Sequence, residues 1–438
     1  MRKIGFPQEM LVVQKANKKS VVLYDFDRRR FIEINYQAFL IMDIVNTEGS
    51  DEKLLSLISD EDAKQKIQDI IEQAKTSEWL VNVDRPSLYY FKEMRITPEL
   101  ELIQWELTNQ CNLRCIHCYN ESCETNDTLE LSTDEVKKII DQADEIGVWQ
   151  FDLTGGEIFM RSDIMEILKY LHEKHFAVRI ATNGTLIDDE IIVQLEQLKI
   201  RAYTTSLDGG SSKTNDFFRG ANGAFKKTYE NLLKVKNSSI PIRRVNVTAT
   251  TLNEHEMDAI HSMYTSQGIK YVVDNIVPSG RGEDAVKYNV SNDDLIQYKL
   301  RSYMEGNEDN YRLALVNSIG QKHQSGVTSC GVFRNRIFIM ASGEYTFCPT
   351  LSGREHENFK LGDSRKTSLK QAWENAQTFI NHINTDCGNL DNCKYAIICK
   401  GGCRSRAYIT SGRFDGPDKV ICEYMQHLEK RVLSGRVV

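Results

Sequence analysis

The sequence predicts an α/β protein built around a partial (β/α)6 barrel of the TIM type. Between residues 100 and 285 a strand, a loop and a helix follow one another six times, and this alternation is typical of a parallel sheet. Residues 1–90 have the pattern of a smaller, separate domain, and residues 330–438 hold seven of the eleven cysteines. We therefore expect three domains, with the weakly patterned residues 286–329 as a bridge.

Six apolar segments are expected to form the barrel strands. They lie at residues 102–108, 149–154, 177–182, 201–206, 243–250 and 270–276. The first helix should begin after Ser132, which is a good N-cap residue, and should end at Gly147. In parallel barrels the reactive groups lie at the carboxyl ends of the strands, so the loops after strands one to four form the expected site.

Composition narrows the setting in which the protein acts. The chain has 438 residues with 55 basic and 62 acidic side chains, and its net charge of −7 predicts no nucleic-acid partner. It has no apolar run long enough to span a membrane, and its first residues lack the apolar core of a signal peptide. We expect no membrane partner and a cytoplasmic, reducing location, where cysteines act as metal ligands rather than as disulfides.

Three cysteines follow the first barrel strand within eight residues. Cys111, Cys115 and Cys118 have C-x3-C-x2-C spacing, which suits three corners of an iron–sulfur cube and leaves the fourth iron open. Spacing alone also allows structural zinc, and buried inert thiols are the plainest alternative. The confinement of all eleven cysteines to residues 111–123 and 330–422 favours metal binding.

This loop and the motifs after the next strands resemble the radical S-adenosylmethionine (radical SAM) enzymes over residues 100–285. The resemblance implies that Cys111, Cys115 and Cys118 bind a [4Fe–4S] cluster. It also implies that the open iron binds the amino and carboxylate groups of S-adenosylmethionine (SAM). Reductive cleavage of SAM would then give a 5′-deoxyadenosyl radical, which takes a hydrogen atom from the substrate.

Side chains near the cysteine loop match the cofactor-binding positions of that family. Gly155-Gly156-Glu157 matches its Gly-Gly-Glu motif, in which the carboxylate of Glu157 would accept a hydrogen bond from the SAM ammonium group. Ser206 would face the ribose or the carboxylate, and Asp208 either joins it or caps the following turn. The other implied contacts are His117 near the adenine, Asn183 at the ribose or the substrate, and Arg219 and Arg281 as carboxylate clamps.

The C-terminal cysteines resemble the SPASM extension of radical SAM enzymes that mature peptides and proteins. The later run of cysteines departs from the family, because five residues separate its first two members where two are usual. The resemblance implies two auxiliary [4Fe–4S] clusters, and thus three clusters in the chain. The implied ligands are Cys330, Cys348 and Cys403 for the first auxiliary cluster and Cys387, Cys393, Cys399 and Cys422 for the second.

Cys123 is left over when these ten ligands have been assigned. Two cubes take eight ligands, whereas the C-terminal domain offers seven cysteines. Cys123 either completes the first auxiliary cluster or is a free surface thiol, and in the second case that cluster keeps an open iron.

Residues 1–90 resemble the leader-peptide recognition element, a small winged-helix domain. Apolar β-runs and the alternating segment Phe31–Asn35 predict three strands, and three helical patterns follow them. Such an element adds the leader of a precursor peptide as an extra strand, here beside Phe31–Asn35 and the helix after it. Arg28, Arg29 and Arg30 either suit an acidic leader or form a solvated hairpin tip.

Together the three resemblances predict a radical SAM maturase of a ribosomally synthesised peptide. Hydrogen abstraction would install a crosslink in the core peptide, either a carbon–carbon bond such as Lys–Trp or a cysteine thioether. The expected partners are the precursor peptide and an electron donor such as flavodoxin or ferredoxin. The alternatives are a maturase that makes formylglycine in a protein, as in anaerobic sulfatase activation, and a non-catalytic metal-binding scaffold.

Overall fold

The computed structural model describes residues 3–122, 124, 129–304, 331–351 and 354–434. Two of the expected ligands, Cys123 and Cys330, lie outside the described residues, as do residues 305–329 of the expected bridge. Within the described ranges no helix combines the length and the apolar character needed to cross a membrane.

The N-terminal domain contains two small sheets and three helices. Its elements are β1 (Lys3–Gly5), β2 (Met10–Gln14), β3 (Ser20–Asp25), β4 (Arg30–Asn35), α1 (Tyr36–Glu48), α2 (Glu52–Ser56), α3 (Glu61–Thr76), β5 (Val81–Val83) and β6 (Tyr89–Glu93). The larger sheet has the strand order β4-β3-β2-β6, and β1 pairs with β5. Phe6, Phe39 and Trp79 belong to an apolar core of this domain alone.

The N-terminal sheet differs from the expectation at its last strand. β6 crosses the boundary expected at residue 90, because all five of its residues pair with β2 in parallel. The three expected strands therefore gain a fourth, which the sequence pattern of residues 84–93 did not indicate.

Six parallel strands form the barrel sheet and are neighbours in the order in which they occur along the chain. All six expected strands are confirmed, with ends within two residues of those expected. They are β7 (Leu102–Glu106), β8 (Gln150–Thr154), β9 (Ala177–Ala181), β10 (Ala202–Ser206), β11 (Ile242–Thr248) and β12 (Tyr271–Asp274).

Helices separate these strands in the chain. They are α4 (Thr133–Glu145), α5 (Ile164–Glu173), α6 (Asp189–Gln197), α7 (Ser212–Arg219), α8 (Ala224–Lys236) and α9 (Met257–Thr265), and α10 (Gly282–Ala285) and α11 (Asn292–Met304) follow β12. The expected N-cap of α4 is confirmed, because the Ser132 hydroxyl accepts from the Glu135 N–H while the Glu135 carboxylate accepts from the Ser132 N–H. This reciprocal pair is a capping box.

The C-terminal region continues the barrel sheet. Its elements are β13 (Arg336–Ile339), β14 (Glu344–Thr346), β15 (Gly362–Asp363), α12 (Leu369–Asn381), α13 (Ala396–Cys399), α14 (Arg404–Ser411) and α15 (Lys419–Ser434). β13 pairs in parallel with β7, and β14 and β15 follow it antiparallel. The sheet therefore has nine strands, in the order β12-β11-β10-β9-β8-β7-β13-β14-β15.

Alternate residues of the barrel strands face opposite sides of the sheet. One set is apolar and packs in the main core, for example Ile103, Trp105, Phe151, Leu153 and Ile180. The other set faces the inside of the barrel and is largely polar. It includes Asp152, Arg179, Thr204, Arg244 and Asn246. The inside of the barrel is therefore suited to a polar ligand.

The N-terminal domain packs on the end of the barrel at which the strands begin. Trp149, just before β8, and Ala177, the first residue of β9, share an apolar cluster with Tyr24 of the N-terminal sheet. Lys199, which precedes β10, forms an ion pair with Glu9. The carboxyl ends of the strands, where the expected site lies, are at the opposite end of the barrel.

Candidate active site

Cys111, Cys115 and Cys118 lie together in the loop after β7. The first two are buried and the third is partly buried, and all three belong to one small cluster of side chains. Burial raises the pKa of the Cys111 thiol to about 12, and the charges of Cys115 and Cys118 add to the increase. With so high a pKa the Cys111 thiol stays protonated at neutral pH unless a positive centre lies beside it, and an iron–sulfur cluster would supply one.

The cysteine loop is fastened to the loops that surround it. The Arg114 N–H donates to the Arg219 carbonyl oxygen at 3.0 Å. Arg281, an expected carboxylate clamp, donates from Nε to the Cys115 carbonyl and from Nη2 to the Ser122 carbonyl, both at 2.8 Å. The structure thus shows Arg281 positioning the loop, and its contact with a carboxylate stays a prediction.

Gly155 and Gly156 lie against the backbone that leads into the cysteine loop. The Gly156 N–H donates to the Thr108 carbonyl oxygen at 2.8 Å. An added Cβ on Gly156 would lie 2.4 Å from the Gln110 carbonyl oxygen, and one on Gly155 would lie 2.8 Å from that of Thr108. Only glycine allows the two loops to approach this closely.

Glu157 lies beneath the site rather than at its surface. It is fully buried, and its oxygens accept from the Thr182 hydroxyl at 2.7 Å, the Asn183 N–H at 2.7 Å and the Phe159 N–H at 3.2 Å. Burial raises the pKa of Glu157 although these hydrogen bonds oppose the increase. Glu157 thus connects the loops after β8 and β9, and its contact with the SAM ammonium group stays a prediction.

Asp208 and Arg219 form a buried ion pair beside Cys115. Arg219 Nη2 lies 2.6 Å from Asp208 Oδ2, and Arg219 Nη1 donates to Cys115 Sγ at 3.8 Å. Asp208 Oδ1 accepts from the Thr248 N–H of β11 at 2.7 Å, so this carboxylate bridges two strands instead of capping its own turn. Burial alone would lower the pKa of Arg219, but Asp208 and Cys115 outweigh it and hold the pKa above its ordinary value.

His117 contributes a flat, neutral ring to the site. Its ring centroid lies 5.2 Å from that of Phe218, and its Nε2 lies 3.6 Å from Asp208 Oδ2. Burial lowers the pKa of His117 to about 4, although Asp208 opposes the decrease. Its Nδ1 has no hydrogen-bond partner among the residues that the structure describes. A ligand with a donor or acceptor near this ring would find an unused partner here.

Asn183 and Ser206 reach the site from β9 and β10. Asn183 Nδ2 donates to Asn112 Oδ1 at 2.9 Å and lies 3.8 Å from Cys111 Sγ. Ser206 Oγ accepts from Asn246 Nδ2 at 3.5 Å. Asn183 therefore faces the cysteine loop, and Ser206 lines the same cavity as that loop.

A cavity of about 390 Å³ opens between the cysteine loop and the carboxyl ends of β8 to β12. Glu157 and Asp208 support the cavity wall without lining it. The expected residues that line it are Cys111, Cys115, Cys118, His117, Gly155, Gly156, Asn183, Ser206, Arg219 and Arg281.

Sequence reasoning missed several cavity residues. Tyr119, Thr204, Arg244 and Asn246 line the cavity, and Glu106 is a buried carboxyl at the end of β7 whose pKa burial raises to about 7. The alternation in β11, with polar side chains at every second position, was a signal that could have identified Arg244 and Asn246. The same alternation in β7, where Gln104 and Glu106 follow Ile103 and Trp105, could have identified Glu106.

Four C-terminal cysteines lie together. Burial raises the pKa of Cys399 to about 11, and the charges of Cys422 and Cys393 contribute to the increase. Burial also raises the pKa of the Cys422 thiol, and the charges of Cys387 and Cys393 contribute to this increase. Cys393 also shares one apolar cluster with Cys399 and another with Cys387, so these cysteines are neighbours, and their binding of the second auxiliary cluster stays a prediction.

Two ligands expected for the first auxiliary cluster are described. Cys348 lies close enough to Tyr119, the residue after Cys118, for its charge to contribute to the raised pKa of that phenol, which burial mainly causes. Cys403 caps α14 by accepting from the Arg406 N–H at 3.4 Å. The ligand assignment of this cluster stays a prediction, because Cys330 and Cys123 lie outside the described residues.

The described donors do not favour a single metal ion. In the described part of the chain no group of three or more histidine, cysteine, aspartate or glutamate side chains is arranged to hold a single metal ion. Structural zinc needs four such donors around one ion, whereas a [4Fe–4S] cube takes one thiolate at each iron. The nine described cysteines form no disulfide, and thiols are the donors that iron–sulfur clusters take.

Two family models match the chain in the regions that carry these thiols. Residues 105–264 match the radical SAM superfamily, and residues 330–403 match the SPASM iron–sulfur cluster-binding domain. The chain is therefore a radical SAM enzyme that carries a SPASM domain.

Similar proteins cover most of the chain. The AdoMet-dependent heme synthase of Methanosarcina barkeri is 29% identical over 72% of this chain and 93% of its own length. The mycofactocin maturase MftC of Mycolicibacterium smegmatis is 28% identical over 72% of this chain and 81% of its own. The crystal structure of Streptococcus suis SuiB bound to the precursor peptide SuiA matches with a TM-score of 0.61 and 17% identity, over 96% of this chain and 99% of that one. At that identity SuiB shows the shared fold alone.

Proposed function

We propose that this enzyme matures a ribosomally synthesised peptide by installing a crosslink in its core. The observation that carries the proposal is the cavity in which three cysteines of one loop meet the side chains expected to bind SAM. A maturase among the relatives and a precursor-bound protein among the structures with this fold support a peptide as the substrate.

The residues of the site have separate roles in this proposal. Cys111, Cys115 and Cys118 would hold the cluster, and SAM bound at its open iron supplies a 5′-deoxyadenosyl radical when it is reduced. Arg219 and Asn183 donate toward Cys115 and Cys111 and so stabilise negative charge on the sulfur atoms. The other loops, fastened by hydrogen bonds and close packing, keep the thiols in place and bury them from water.

The test of this function is a single-turnover assay on the anaerobically reconstituted enzyme. We expect SAM and dithionite to give 5′-deoxyadenosine, and we expect Cys115→Ser to abolish it. With the precursor peptide, each crosslink should lower the peptide mass by two hydrogen atoms. No SAM cleavage by an enzyme with full iron content would contradict the radical reaction and favour the scaffold.

The chemistry of the crosslink is the finer part of the proposal. A carbon–carbon bond such as Lys–Trp and a cysteine thioether lose the same mass, and alkylation of free cysteines before mass measurement separates them. Formylglycine in a protein substrate would instead appear as an aldehyde that reacts with hydrazides. Peptide epimerisation, which changes no mass, would contradict both crosslinks.

We also propose two auxiliary [4Fe–4S] clusters beside the one in the barrel. The grouping of Cys387, Cys393, Cys399 and Cys422 supports one of them. Three cubes correspond to about twelve irons in each chain. Cys123→Ser tests whether that thiol completes the first auxiliary cluster, because Mössbauer and EPR spectra of the variant would then change for that cluster alone. An electron donor such as flavodoxin or ferredoxin would reduce the enzyme.

The N-terminal domain is the proposed binding site for the leader of the precursor. β4 is an edge strand of its sheet, and Phe31, Leu40 and Ile44, on β4 and α1, are exposed. An exposed edge beside apolar side chains suits a peptide that adds a strand. Alternate leader side chains would then pack against these apolar residues.

The three arginines before this strand have partners within the protein. Arg28 pairs with Asp25 at 3.1 Å, and Arg30 lies over the Trp79 ring at 4.5 Å. Arg29 donates to the Ser239 carbonyl of the barrel. These contacts favour a structural role for the arginines over the recognition of an acidic leader.

A further inference from the structure

Three arginine side chains lie near one carboxylate inside the barrel below the cysteine loop. Arg179 forms an ion pair with Asp152, and Arg201 Nη2 lies 3.6 Å from the other oxygen of the same carboxylate. Arg244 on β11 adds a third guanidinium group. Burial lowers the pKa of Arg179 to about 10 despite Asp152, and the neighbouring arginines add to the decrease. One carboxylate does not balance these groups, so the interior favours an additional anion.

Arg244 is the arginine of this group that lines the active-site cavity. Its Nε donates to Asn246 Oδ1 at 3.0 Å, which orients the guanidinium plane. Within the part of the chain that the structure describes, no carboxylate forms an ion pair with it. The outer edge of this guanidinium group is therefore free to bind a ligand.

A second polar group without a partner lies beside it. Thr204 pairs with Arg244 across the β10–β11 ladder and also lines the cavity. It is 5% exposed, and its hydroxyl has no hydrogen-bond partner among the described residues. A buried hydroxyl without a partner is costly unless a ligand or water satisfies it.

The depth of this pair separates it from the expected cofactor contacts. Ser206 and Asn246 form the next pair on the same ladder, at the carboxyl ends of the strands. Arg244 and Thr204 are two residues earlier, which is roughly 7 Å deeper in the barrel. A ligand bound at Arg244 and Thr204 would therefore lie deeper in the barrel than a ligand bound at Ser206.

We propose that Arg244 and the Thr204 hydroxyl bind a carboxylate of the peptide substrate. The inference rests on the proposed function and names the group by which the peptide is anchored. A guanidinium group binds a carboxylate through two parallel hydrogen bonds, and a hydroxyl beside it supplies a third. An aspartate or glutamate side chain and a C-terminal carboxylate share this chemistry, so the experiment distinguishes them.

The experiment uses three acetylated pentapeptides as probes of the reconstituted enzyme with SAM bound. One has the sequence Gly-Gly-Asp-Gly-Gly with an amidated C-terminus, one has asparagine in place of aspartate, and one has that asparagine with a free C-terminal carboxylate. Ligand-observed NMR measures the dissociation constant of each. We expect at least one carboxylate probe to bind roughly tenfold more tightly than the neutral probe, and its identity gives the source of the carboxylate.

Two variants on the same strand test the role of Arg244. Arg244→Gln should remove the preference for carboxylate, and Arg244→Lys should retain part of it, because lysine keeps the charge without the fork of donors. The matched control is Arg243→Gln, since Arg243 is exposed and does not line the cavity. It should leave the preference unchanged.

Three results would overturn the inference. The first is equal binding of all three probes by the wild-type enzyme. The second is an equal loss of the carboxylate preference in the Arg243 and Arg244 variants, which would indicate a general effect of positive charge. The third is loss of SAM binding or of substrate-free SAM cleavage in Arg244→Gln with full iron content, which would assign Arg244 to the cofactor. Failure of the proposed function would differ from all three, because wild-type enzyme would then not cleave SAM.

Discussion

Gly156 is placed so close to the cysteine loop that its lack of a side chain controls the position of the thiols. Gly156→Ala would put a Cβ 2.4 Å from the Gln110 carbonyl oxygen, and the loop must then shift. We expect the purified variant to lose most of the iron of the barrel cluster and to lose SAM cleavage. Iron analysis and 5′-deoxyadenosine yield measure the effect.

The matched control for Gly156 is Gly268, where an added side chain has open space around it. Gly268 has φ +63, and an added Cβ there would meet nothing within 4 Å. Gly268→Ala should cost about 1 kcal/mol of stability through backbone strain and should keep its iron. Equal loss of iron in the two variants would show that close packing at Gly156 is not the cause.

Glu106 should make stability depend on pH. Burial raises its pKa from 4.5 to about 7, so between these values the unfolded chain releases a proton that the folded chain keeps. The free energy of unfolding therefore falls as pH rises through this window, by roughly 3 kcal/mol in total. Glu106→Gln stays neutral and should be more stable than wild type at pH 8 by about this amount, and the gain should shrink toward pH 5.

Denaturant unfolding at pH 5, 6, 7 and 8 measures this difference. The control is Glu166→Gln, because Glu166 is exposed and pairs with Lys137 at the surface. Curves for wild type and Glu106→Gln that stay parallel across the window would show that the carboxyl is not held neutral by the fold.

At the level of elements, α15 carries a thiol that is expected to complete the second auxiliary cluster. Cys422→Ser should lower the iron content by about four per chain while substrate-free SAM cleavage by the barrel continues. The neighbouring variant Glu423→Gln should keep all its iron. In the wild-type enzyme the Glu423 carboxylate only accepts a hydrogen bond from Asn292 Nδ2 at 3.0 Å. If Cys422→Ser also keeps it, Cys422 is not a ligand.

The elements also show what sequence patterns can and cannot predict. The six barrel strands and the cap of α4 were predictable, because hydrophobic alternation and capping chemistry are local. β6 and β13 were not, since each pairs with a strand far away in the chain, β6 with β2 and β13 with β7. The spacing of Cys111, Cys115 and Cys118 predicted that these thiols lie together, whereas nothing in the sequence indicated that Arg281 donates to backbone carbonyls of the cysteine loop.

At the level of the whole molecule, the domains define a path for the substrate. The N-terminal domain packs where the barrel strands begin, and the cavity opens where they end. A peptide whose leader binds beside β4 must therefore extend along the outside of the barrel before its core reaches the cysteines. A strand of five residues spans roughly 17 Å, so the linker between leader and core needs at least about five extended residues for the barrel alone.

The pairing of β13 with β7 affects how such enzymes can be recombined. β13 supplies the backbone partners for one side of the strand that leads into the cysteine loop, so the SPASM region completes the barrel as well as holding its own thiols. Exchange of SPASM regions between relatives would replace the neighbour of β7 and disturb the first cluster together with the others. A chimera that keeps β13 to β15 with the barrel, and joins the foreign sequence after Asp363, preserves that neighbour.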